Sequence, residues 1–254
     1  MAITIKSERE IELMAEAGKI LERVHNELEK ALHPGMSTKD IDTLGEKIIR
    51  SYGCIPSFLN YNGYPASICV SVNQEVVHGI PDKHRIIHEG DIVSLDAGVI
   101  YKGYHSDAAR THAVGEVSEE AKKLIQVTKE CFFEGIKYAK AGNHLFDISG
   151  AIGRYAEERG YGVVRDLCGH GIGTAVHEAP EIPNYEVGRK GVKLRPGMTL
   201  AIEPMINIGT YEVDWLDDDW TVVTRDGSLS AHYENTILIT EGEPRILSLT
   251  CDNE

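Results

Sequence analysis

Two aspartates stand out in a predicted β-hairpin in the first half of the chain. Asp96 and Asp107 are equally far from a turn centred between Tyr101 and Lys102, so a symmetric hairpin would place them directly opposite each other. Like charges that face each other across two strands are destabilising, and a buried carboxylate pair needs a shared proton or a cation. The pair therefore indicates either a cation site or two exposed carboxylates on a solvated sheet face.

Three more side chains with metal-ligand chemistry occur in the second half. Glu203 and Glu234 are single acids within apolar, strand-like runs, although each could also be an ordinary carboxylate at a strand end. His170 lies in a Gly-His-Gly-Ile-Gly run, whose glycines allow close approach of the backbone. A phosphate loop is disfavoured because no Lys-Ser or Lys-Thr follows this run. Four acids and one histidine, without a thiolate, suit one or two hard or borderline divalent ions.

The composition predicts a cytoplasmic protein with free thiols. The chain has 254 residues, is 42% hydrophobic and carries a formal net charge of -14, which argues against non-specific nucleic-acid binding. The segment Met1–Arg9 is too polar for a signal peptide, and no apolar run is long enough to span a membrane. The cysteines are odd in number, widely spaced and form no CxxC pair, which favours a reducing compartment. They are Cys54, Cys69, Cys131, Cys168 and Cys251.

Four amphipathic helices are predicted, in two pairs. Ser7 and Glu10 form a capping-box signature, and the first helix runs from there to Pro34-Gly35. The others cover about residues 40–51, 118–140 and 145–159. Matching positions in the two pairs are 107 residues apart: Gly35 and Gly142, Asp40-Ile41 and Asp147-Ile148, Gly53 and Gly160. This spacing predicts a duplicated unit, although matches between such common residues also arise by chance.

Strands are predicted between and after the helix pairs, at residues 68–72, 91–99, 104–114 and 198–205. Asp226-Gly227 is a hairpin signal that would join a strand at 220–223 to a long strand at 229–240. Residues 186–195 are expected to form an exposed loop. The whole pattern predicts an α+β domain with two similar halves, about residues 7–114 and 115–250, and a site between them.

Six short motifs, spread over almost the whole chain, resemble those of one enzyme family in order and spacing. They are Val77-His78-Gly79-Ile80-Pro81, Ser94-Leu95-Asp96-Ala97-Gly98, Ser106-Asp107-Ala108-Ala109-Arg110-Thr111, Gly169-His170-Gly171-Ile172-Gly173, Ala201-Ile202-Glu203-Pro204 and Ser230-Ala231-His232-Tyr233-Glu234-Asn235-Thr236. The sequence thus resembles the methionine aminopeptidases of type I, in their short bacterial form. The resemblance implies one catalytic domain over residues 1–254. Its fold would be the α+β pita-bread fold of creatinases and aminopeptidases, with two pseudo-two-fold related halves around a central antiparallel sheet.

The resemblance also implies roles for the five residues described first. Asp107 and Glu234 would bridge two divalent ions. Asp96 would complete the coordination of one ion, and His170 with Glu203 that of the other. Co, Mn, Fe(II), Zn and Ni are the candidate metals. Water activated by the ions would attack the peptide carbonyl, with Glu203 as the general base.

Two histidines and an apolar pocket complete the implied site. His177 would stabilise the developing oxyanion, and His78 would contact the scissile amide nitrogen or the next peptide group; both could equally be structural loop histidines. Phe58 and Val176 differ from the residues expected in the best-known bacterial members, which leaves the shape of the pocket open. The aromatic residues could also simply pack a loop. The implied methionine pocket consists of Tyr61, Tyr64, Cys69, Trp220, Phe58 and Val176.

The implied substrate is the initiator methionine of nascent polypeptides, followed by a small second residue. We expect a monomer with at most a transient ribosome contact, and without membrane or stable nucleic-acid partners. One alternative is another pita-bread exopeptidase of the Xaa-Pro type, which usually carries an extra N-terminal domain. Another is a non-catalytic binding module, which would have lost one or more of the five ligands.

Overall fold

The computed structural model describes residues 3–249. Its α-helices correspond to the predicted ones: α1 Glu8–Ala31, α2 Thr38–Ser51, α3 Glu119–Ile136 and α4 Leu145–Glu157. The predicted capping box is present, because the Ser7 amide donates to Glu10 Oε2 at 2.7 Å and the Ser7 hydroxyl accepts from the Glu10 amide. α3 ends earlier than predicted, at Ile136, because residues 137–138 form a turn in which the Tyr138 amide donates to the Gly135 carbonyl oxygen at 3.0 Å. Within the described residues, no helix is long and apolar enough to cross a membrane.

A 3-10 turn lies at Tyr61–Gly63. The strands are short, apart from two of ten residues each that form a hairpin. In chain order they are β1 Ile55–Pro56, β2 Ile68–Val72, β3 Glu75–Val77, β4 Ile92–Tyr101, β5 Tyr104–Ala113, β6 Gly162–Val163, β7 Gly169–Gly171, β8 Glu178–Ile182, β9 Thr199–Ile202, β10 Met205–Asn207, β11 Val213–Trp215, β12 Val222–Thr224, β13 Ser230–His232, β14 Asn235–Leu238 and β15 Arg245–Ile246.

β4 is the centre of the first sheet. One edge of β4 pairs with β5 along its whole length, and the other edge pairs with β2 and then with β1, all antiparallel. α1 packs across β4 and β5, and α2 packs on β2. Leu21, Ile41, Ile68 and Leu95 are fully buried between these layers. Because removing such side chains from water is the main stabilising contribution to a core, the packing makes the β4–β5 hairpin a firm support.

Local geometry repeats at the predicted spacing. An isolated bridge joins Ser37 to Ile86 in front of α2, and a second one joins His144 to Lys193 in front of α4. Each member of the second bridge lies 107 residues after its counterpart. Gly35 and Gly142 share the same backbone conformation, with φ of 93° and 94°. The same helix-entry structure is therefore built twice, while the exact division of the chain near residue 114 stays a prediction.

Two of the predicted strands are wrong in extent. The strand expected at 198–205 is interrupted at Glu203-Pro204 and becomes β9 and β10, because Pro204 has no amide hydrogen for a ladder. The long strand expected at 229–240 is interrupted at Tyr233-Glu234 and becomes β13 and β14. β9 pairs with β14, whereas β10 pairs with β13 in a different sheet. Both interruptions therefore fall at the same place, beside two acids.

The hairpin predicted at Asp226-Gly227 is also wrong. The chain does turn there, with the Gly227 amide donating to the Thr224 carbonyl oxygen at 3.3 Å. However, β12 pairs with β11 and β3, so it does not pair with β13 on the other side of the turn. The turn joins strands of different sheets. Residues 186–195 form the expected loop.

Candidate active site

The β4–β5 hairpin brings Asp96 and Asp107 together, but not as direct partners. The turn is Lys102-Gly103, with φ of 50° and 86°, so its centre lies one residue later than predicted. Asp96 consequently faces Ala109, and Asp107 faces a glycine of β4. The prediction that they face each other is wrong. They are instead diagonal neighbours on one face of the sheet, and their carboxyl groups interact directly.

Two side chains join Asp107 to the segment that carries Glu234. The Thr236 hydroxyl accepts from the Asp107 amide and donates to the Asp107 carbonyl oxygen, each at 2.9 Å. The Arg110 guanidinium donates to the Glu234 carbonyl oxygen and to Asn235 Oδ1, the latter at 2.6 Å. Because hydrogen bonds from a guanidinium are among the strong ones, these contacts fix two acids from distant segments side by side.

β7 places His170 beside the same acids. Its Nε2 lies 3.6 Å from Glu203 Oε1 and 3.9 Å from Asp107 Oδ2. Its Nδ1 donates to the Gly171 carbonyl oxygen at 2.9 Å, so Nε2 is left to face the acids as a potential ligand. The structure thus brings all five predicted ligands to one cavity of about 340 Å³: Asp96, Asp107, His170, Glu203 and Glu234.

Four carboxylates crowd this space, and burial raises the pKa of each of them. Burial raises the pKa of Asp96 to about 7. Burial also raises the pKa of Asp107, Glu203 and Glu234 well above their ordinary values, and neighbouring carboxylates add to the effect.

Unpaired oxygen atoms indicate what could relieve the repulsion. Within the described residues, Asp96 Oδ1, Asp107 Oδ1 and Glu234 Oε1 are buried without a hydrogen-bond partner. Asp107, His170 and Glu234 offer ligand atoms that all lie within 4.8 Å of one another. Carboxylate oxygens and an imidazole nitrogen suit Mn, Fe(II), Co or Zn, whose positive charge would offset the cost of burying the acids. The residues therefore fit a divalent cation site, which is an arrangement capable of metal-assisted hydrolysis.

An apolar cluster forms another wall of the same cavity. The rings of Tyr64 and Trp220 meet edge to face with their centroids 5.1 Å apart, and the Tyr64 hydroxyl donates to the Gly79 carbonyl oxygen at 2.9 Å. Val176 is buried against the others. All six predicted pocket residues therefore belong to one cluster: Phe58, Tyr61, Tyr64, Cys69, Val176 and Trp220.

The two predicted histidines lie between the acids and the apolar wall. His78 has a φ of 59°, a strained conformation for a residue with a side chain, and such strain is frequent at functional sites. Burial lowers the pKa of His78 to about 4, with His177 adding to the effect. His177 lies at the exposed rim, where its Nδ1 is 2.9 Å from the Tyr61 hydroxyl and its ring centroid is 4.2 Å from that of His170. Both imidazoles line the cavity.

The sequence analysis does not predict a third histidine at this place. His232 is buried, its Nε2 lies 3.6 Å from Glu203 Oε2, and neither ring nitrogen has a hydrogen-bond partner within residues 3–249. Burial lowers the pKa of His232 to about 3, with His78 and Arg110 adding to the effect, so the ring is neutral. The one available signal is its position two residues before Glu234, since alternate residues of an extended segment share a face.

Known proteins share both the sequence and the fold. The profile of Metallopeptidase family M24 matches residues 12–241. A methionine aminopeptidase of Clostridium acetobutylicum is 59% identical over 97% of this chain and 99% of that protein. The crystal structure of a methionine aminopeptidase from Thermotoga maritima superposes with a TM-score of 0.96 at 46% identity, covering 98% of this chain and 100% of the other. A Xaa-Pro dipeptidase from Bacillus anthracis gives a TM-score of 0.78 at 27% identity, covering 97% of this chain but 62% of the other.

These similarities confirm the predicted α+β pita-bread fold, which the methionine aminopeptidase and Xaa-Pro dipeptidase structures share with this chain. They also agree with the family resemblance carried by the sequence motifs. Since the profile matches most of the sequence and a relative is more than half identical over nearly its whole length, the chain belongs to metallopeptidase family M24.

Proposed function

We propose that the protein is a metal-dependent methionine aminopeptidase that removes the initiator methionine from nascent polypeptides and prefers a small second residue. Similarity to methionine aminopeptidases over nearly the full length of both chains supports the activity. The observation that carries the proposal is the union of an apolar pocket and a cation site in one cavity. The apolar side chain of the first substrate residue would occupy the pocket. The peptide bond after that residue would then lie beside the acids.

Five side chains are proposed to hold the metal: Asp96, Asp107, His170, Glu203 and Glu234. Divalent ions bound there would polarise the substrate carbonyl and lower the pKa of a water molecule in the cavity. Two ions are proposed, with Co, Mn, Fe(II), Zn and Ni as candidates, and Asp107 and Glu234 would act as ligands in holding them. Their fixed backbones suit that role, because a ligand held by its surroundings loses little freedom on binding.

The proton transfer is assigned to Glu203. Its carboxylate lies between two imidazole rings, with Oε1 3.6 Å from His170 Nε2 and Oε2 3.6 Å from His232 Nε2. The position of Glu203 in the cavity is therefore restricted on both sides. Glu203 accepts a proton from the attacking water and passes it to the leaving amine as the peptide bond breaks. Burial, with the neighbouring Asp96 carboxylate adding to the effect, raises the pKa of Glu203 well above its ordinary value, which favours a carboxyl group that accepts and returns a proton.

His177 at the rim and His78 deeper in the cavity are proposed to act on the substrate peptide. His177 is held through Nδ1 by the Tyr61 hydroxyl, which leaves its other nitrogen to donate to the oxygen that gains negative charge. His78 contacts the scissile amide nitrogen or the next peptide group. Burial lowers the pKa of His78 to about 4, so its imidazole is neutral and binds through hydrogen bonds rather than charge. The pKa of His177 is also lowered, because part of its ring is buried.

Selectivity for the first residue is assigned to the apolar wall. The edge-to-face contact of Tyr64 with Trp220 and the buried Cys69 limit the pocket to a slim apolar side chain. The acids beside the pocket would also attract the free amine of the substrate, which explains why cleavage is restricted to the chain terminus.

The two alternative functions are less well supported. The chain spans 62% of the Xaa-Pro dipeptidase and 100% of the methionine aminopeptidase from Thermotoga maritima, with the higher identity to the latter. A binding module that had lost its chemistry would lack part of the ligand set, whereas all five candidate ligands are present here.

The cellular setting is also a proposal. Cys54, Cys69, Cys131 and Cys168 are free thiols, which is typical of a reducing compartment, and Cys251 lies outside the described residues. We therefore propose action in the cytoplasm, where new N-terminal methionines arise. A monomeric state and a transient ribosome contact, without a stable nucleic-acid partner, stay predictions.

The test is hydrolysis of the peptide Met-Ala-Ser by metal-depleted protein, before and after anaerobic addition of Mn, Fe(II) or Co. Release of free methionine only after metal addition is expected. N-acetyl-Met-Ala-Ser is the matched control and should resist cleavage, because it lacks the free amine. Faster cleavage of an Xaa-Pro peptide, or no cleavage with any ion, would contradict the proposal.

A further inference from the structure

The turn that carries His177 is closed by the next residue along the chain. Glu178 Oε1 accepts hydrogen bonds from the amides of Thr174 at 2.8 Å and Ala175 at 3.3 Å. Glu178 therefore closes the turn just before His177, because both backbone donors of the turn lie on one of its oxygen atoms.

The other oxygen of Glu178 is bound by the segment in front of α1. Oε2 accepts from Lys6 Nζ and from the Thr4 hydroxyl, each at 2.8 Å. Only 4% of the Lys6 side chain and 14% of the Glu178 side chain are exposed. The Lys6 amide donates to the Gly197 carbonyl oxygen at 2.8 Å, which fixes the backbone from which the side chain reaches in. Lysine is seldom buried unless it is paired, so this contact is specific.

The space around the Lys6–Glu178 pair is full. A Cβ atom at Gly173 would lie 2.5 Å from Lys6 Cε and 2.5 Å from Glu178 Oε1, so only glycine leaves room for the pair. Burial by itself would raise the pKa of Glu178, but the hydrogen bonds from Lys6 and Thr4 outweigh it and the pKa lies below its ordinary value. Glu178 is therefore charged at neutral pH and depends on the ammonium group.

We propose that Lys6 is a positioning residue of the reaction, which acts through Glu178 to hold the turn of residues 173–177 and so keeps His177 aimed at the substrate carbonyl. The inference rests on the proposed function through the role given to His177. It is distinct from a stabilising ion pair, which would affect the enzyme equally whether or not His177 is present.

A double-mutant cycle separates these two roles. Lys6→Met is expected to lower kcat/KM on Met-Ala-Ser by about tenfold, mainly in kcat, because a misplaced catalytic group slows the reaction more than it weakens binding. In a His177→Ala background the same change is expected to cost less than about twofold, since the group that Lys6 positions is gone. Equal losses in both backgrounds, or no loss in the first, would overturn the proposal.

Hydrogen exchange gives a readout that does not depend on activity. Lys6→Met should speed hydrogen exchange of the Thr174 and Ala175 amides, which donate hydrogen bonds to Glu178. Unchanged protection of both amides would overturn the proposal. If Lys6→Met does not fold, Gly173→Ala serves instead, because its Cβ displaces the pair while keeping both side chains. If His177→Ala proves as active as the unaltered protein, the catalytic role of His177 fails, whereas faster exchange would still support the structural part of the inference.

Arg85→Met is the matched control. Arg85 NH2 lies 3.4 Å from Glu75 Oε1, and Glu75 has a side-chain exposure of 16%, close to that of Glu178. Glu75 also accepts a backbone amide, that of Val72 at 2.7 Å. This pair also joins a basic side chain to a carboxylate that holds a backbone amide, but Arg85 is 44% exposed and the turn of residues 72–75 carries no histidine, so kcat/KM should stay within about twofold of the unaltered protein.

Discussion

Asp96, Asp107, Glu203 and Glu234 form an acidic wall of the cavity, opposite in character to the apolar wall formed by the cluster around Tyr64 and Trp220. Burial is costly for the acidic wall and favourable for the apolar wall. On the acidic wall, carboxylates with raised pKa repel each other, and several of their oxygens have no hydrogen-bond partner within the described residues. On the apolar wall, the side chains pack as in any core, and the Tyr64 hydroxyl has its acceptor. The contrast agrees with the proposed function, in which the acids perform the chemistry at an energetic cost and the apolar cluster selects the substrate side chain by ordinary packing.

The largest expected effect is on the acidic wall. Glu203→Gln keeps the size of the side chain but removes the group that accepts and returns the proton. We expect kcat on Met-Ala-Ser to fall by about 10³-fold, with KM less affected. Steady-state kinetics with saturating Mn would measure it, alongside circular dichroism as a control for folding. A loss of less than about tenfold would remove Glu203 from its assigned role.

The apolar wall should show a different kind of loss. Val176→Phe adds volume to a packed cluster and should make the pocket shallower, lowering kcat/KM for Met-Ala-Ser by about 10- to 100-fold. A peptide with the shorter norvaline in first position should suffer less, and Mn affinity should not change. If both peptides lost activity equally, Val176 would not determine the depth of the pocket.

The smallest effect on kcat is expected for His232, which lies behind the acidic wall beside Glu203. His232→Leu removes a ring nitrogen that lies 3.6 Å from Glu203 Oε2 and should lower kcat by about tenfold, as is usual for a partner of a metal ligand, the role proposed for Glu203. His232→Gln retains a donor in about the same place and should keep most of the activity. Similar losses in the two variants would mean that His232 contributes packing rather than a hydrogen bond.

Much of the site was readable from the sequence, because its residues break local patterns. Single acids in apolar strands, such as Glu203 and Glu234, and the 107-residue spacing of the helix pairs both have counterparts in the structure. Pro204 was a local signal too, since it ends β9 beside Glu203, but the predicted strand ran through it.

The errors concern geometry that a pattern does not specify. The hairpin register depended on recognising Lys102-Gly103 as a two-residue turn with positive φ, and a shift of the turn centre by one residue changed every cross-strand partner. Lys6 has no local pattern at all, and the sequence signal for His232 is limited to its position two residues before Glu234. Their significance comes from contacts with Glu203 and Glu178, which only the folded chain brings near.

The central claim is that the acidic wall exists to bind divalent cations. Isothermal titration of Mn into metal-depleted protein tests it most directly, comparing the unaltered chain with Asp107→Asn and with Asp91→Asn, a control at the far end of the same hairpin. We expect the unaltered protein to bind Mn, Asp107→Asn to bind it at least about tenfold more weakly, and Asp91→Asn to bind it with unchanged affinity. Equal affinity in all three proteins, or no binding in the unaltered one, would contradict it.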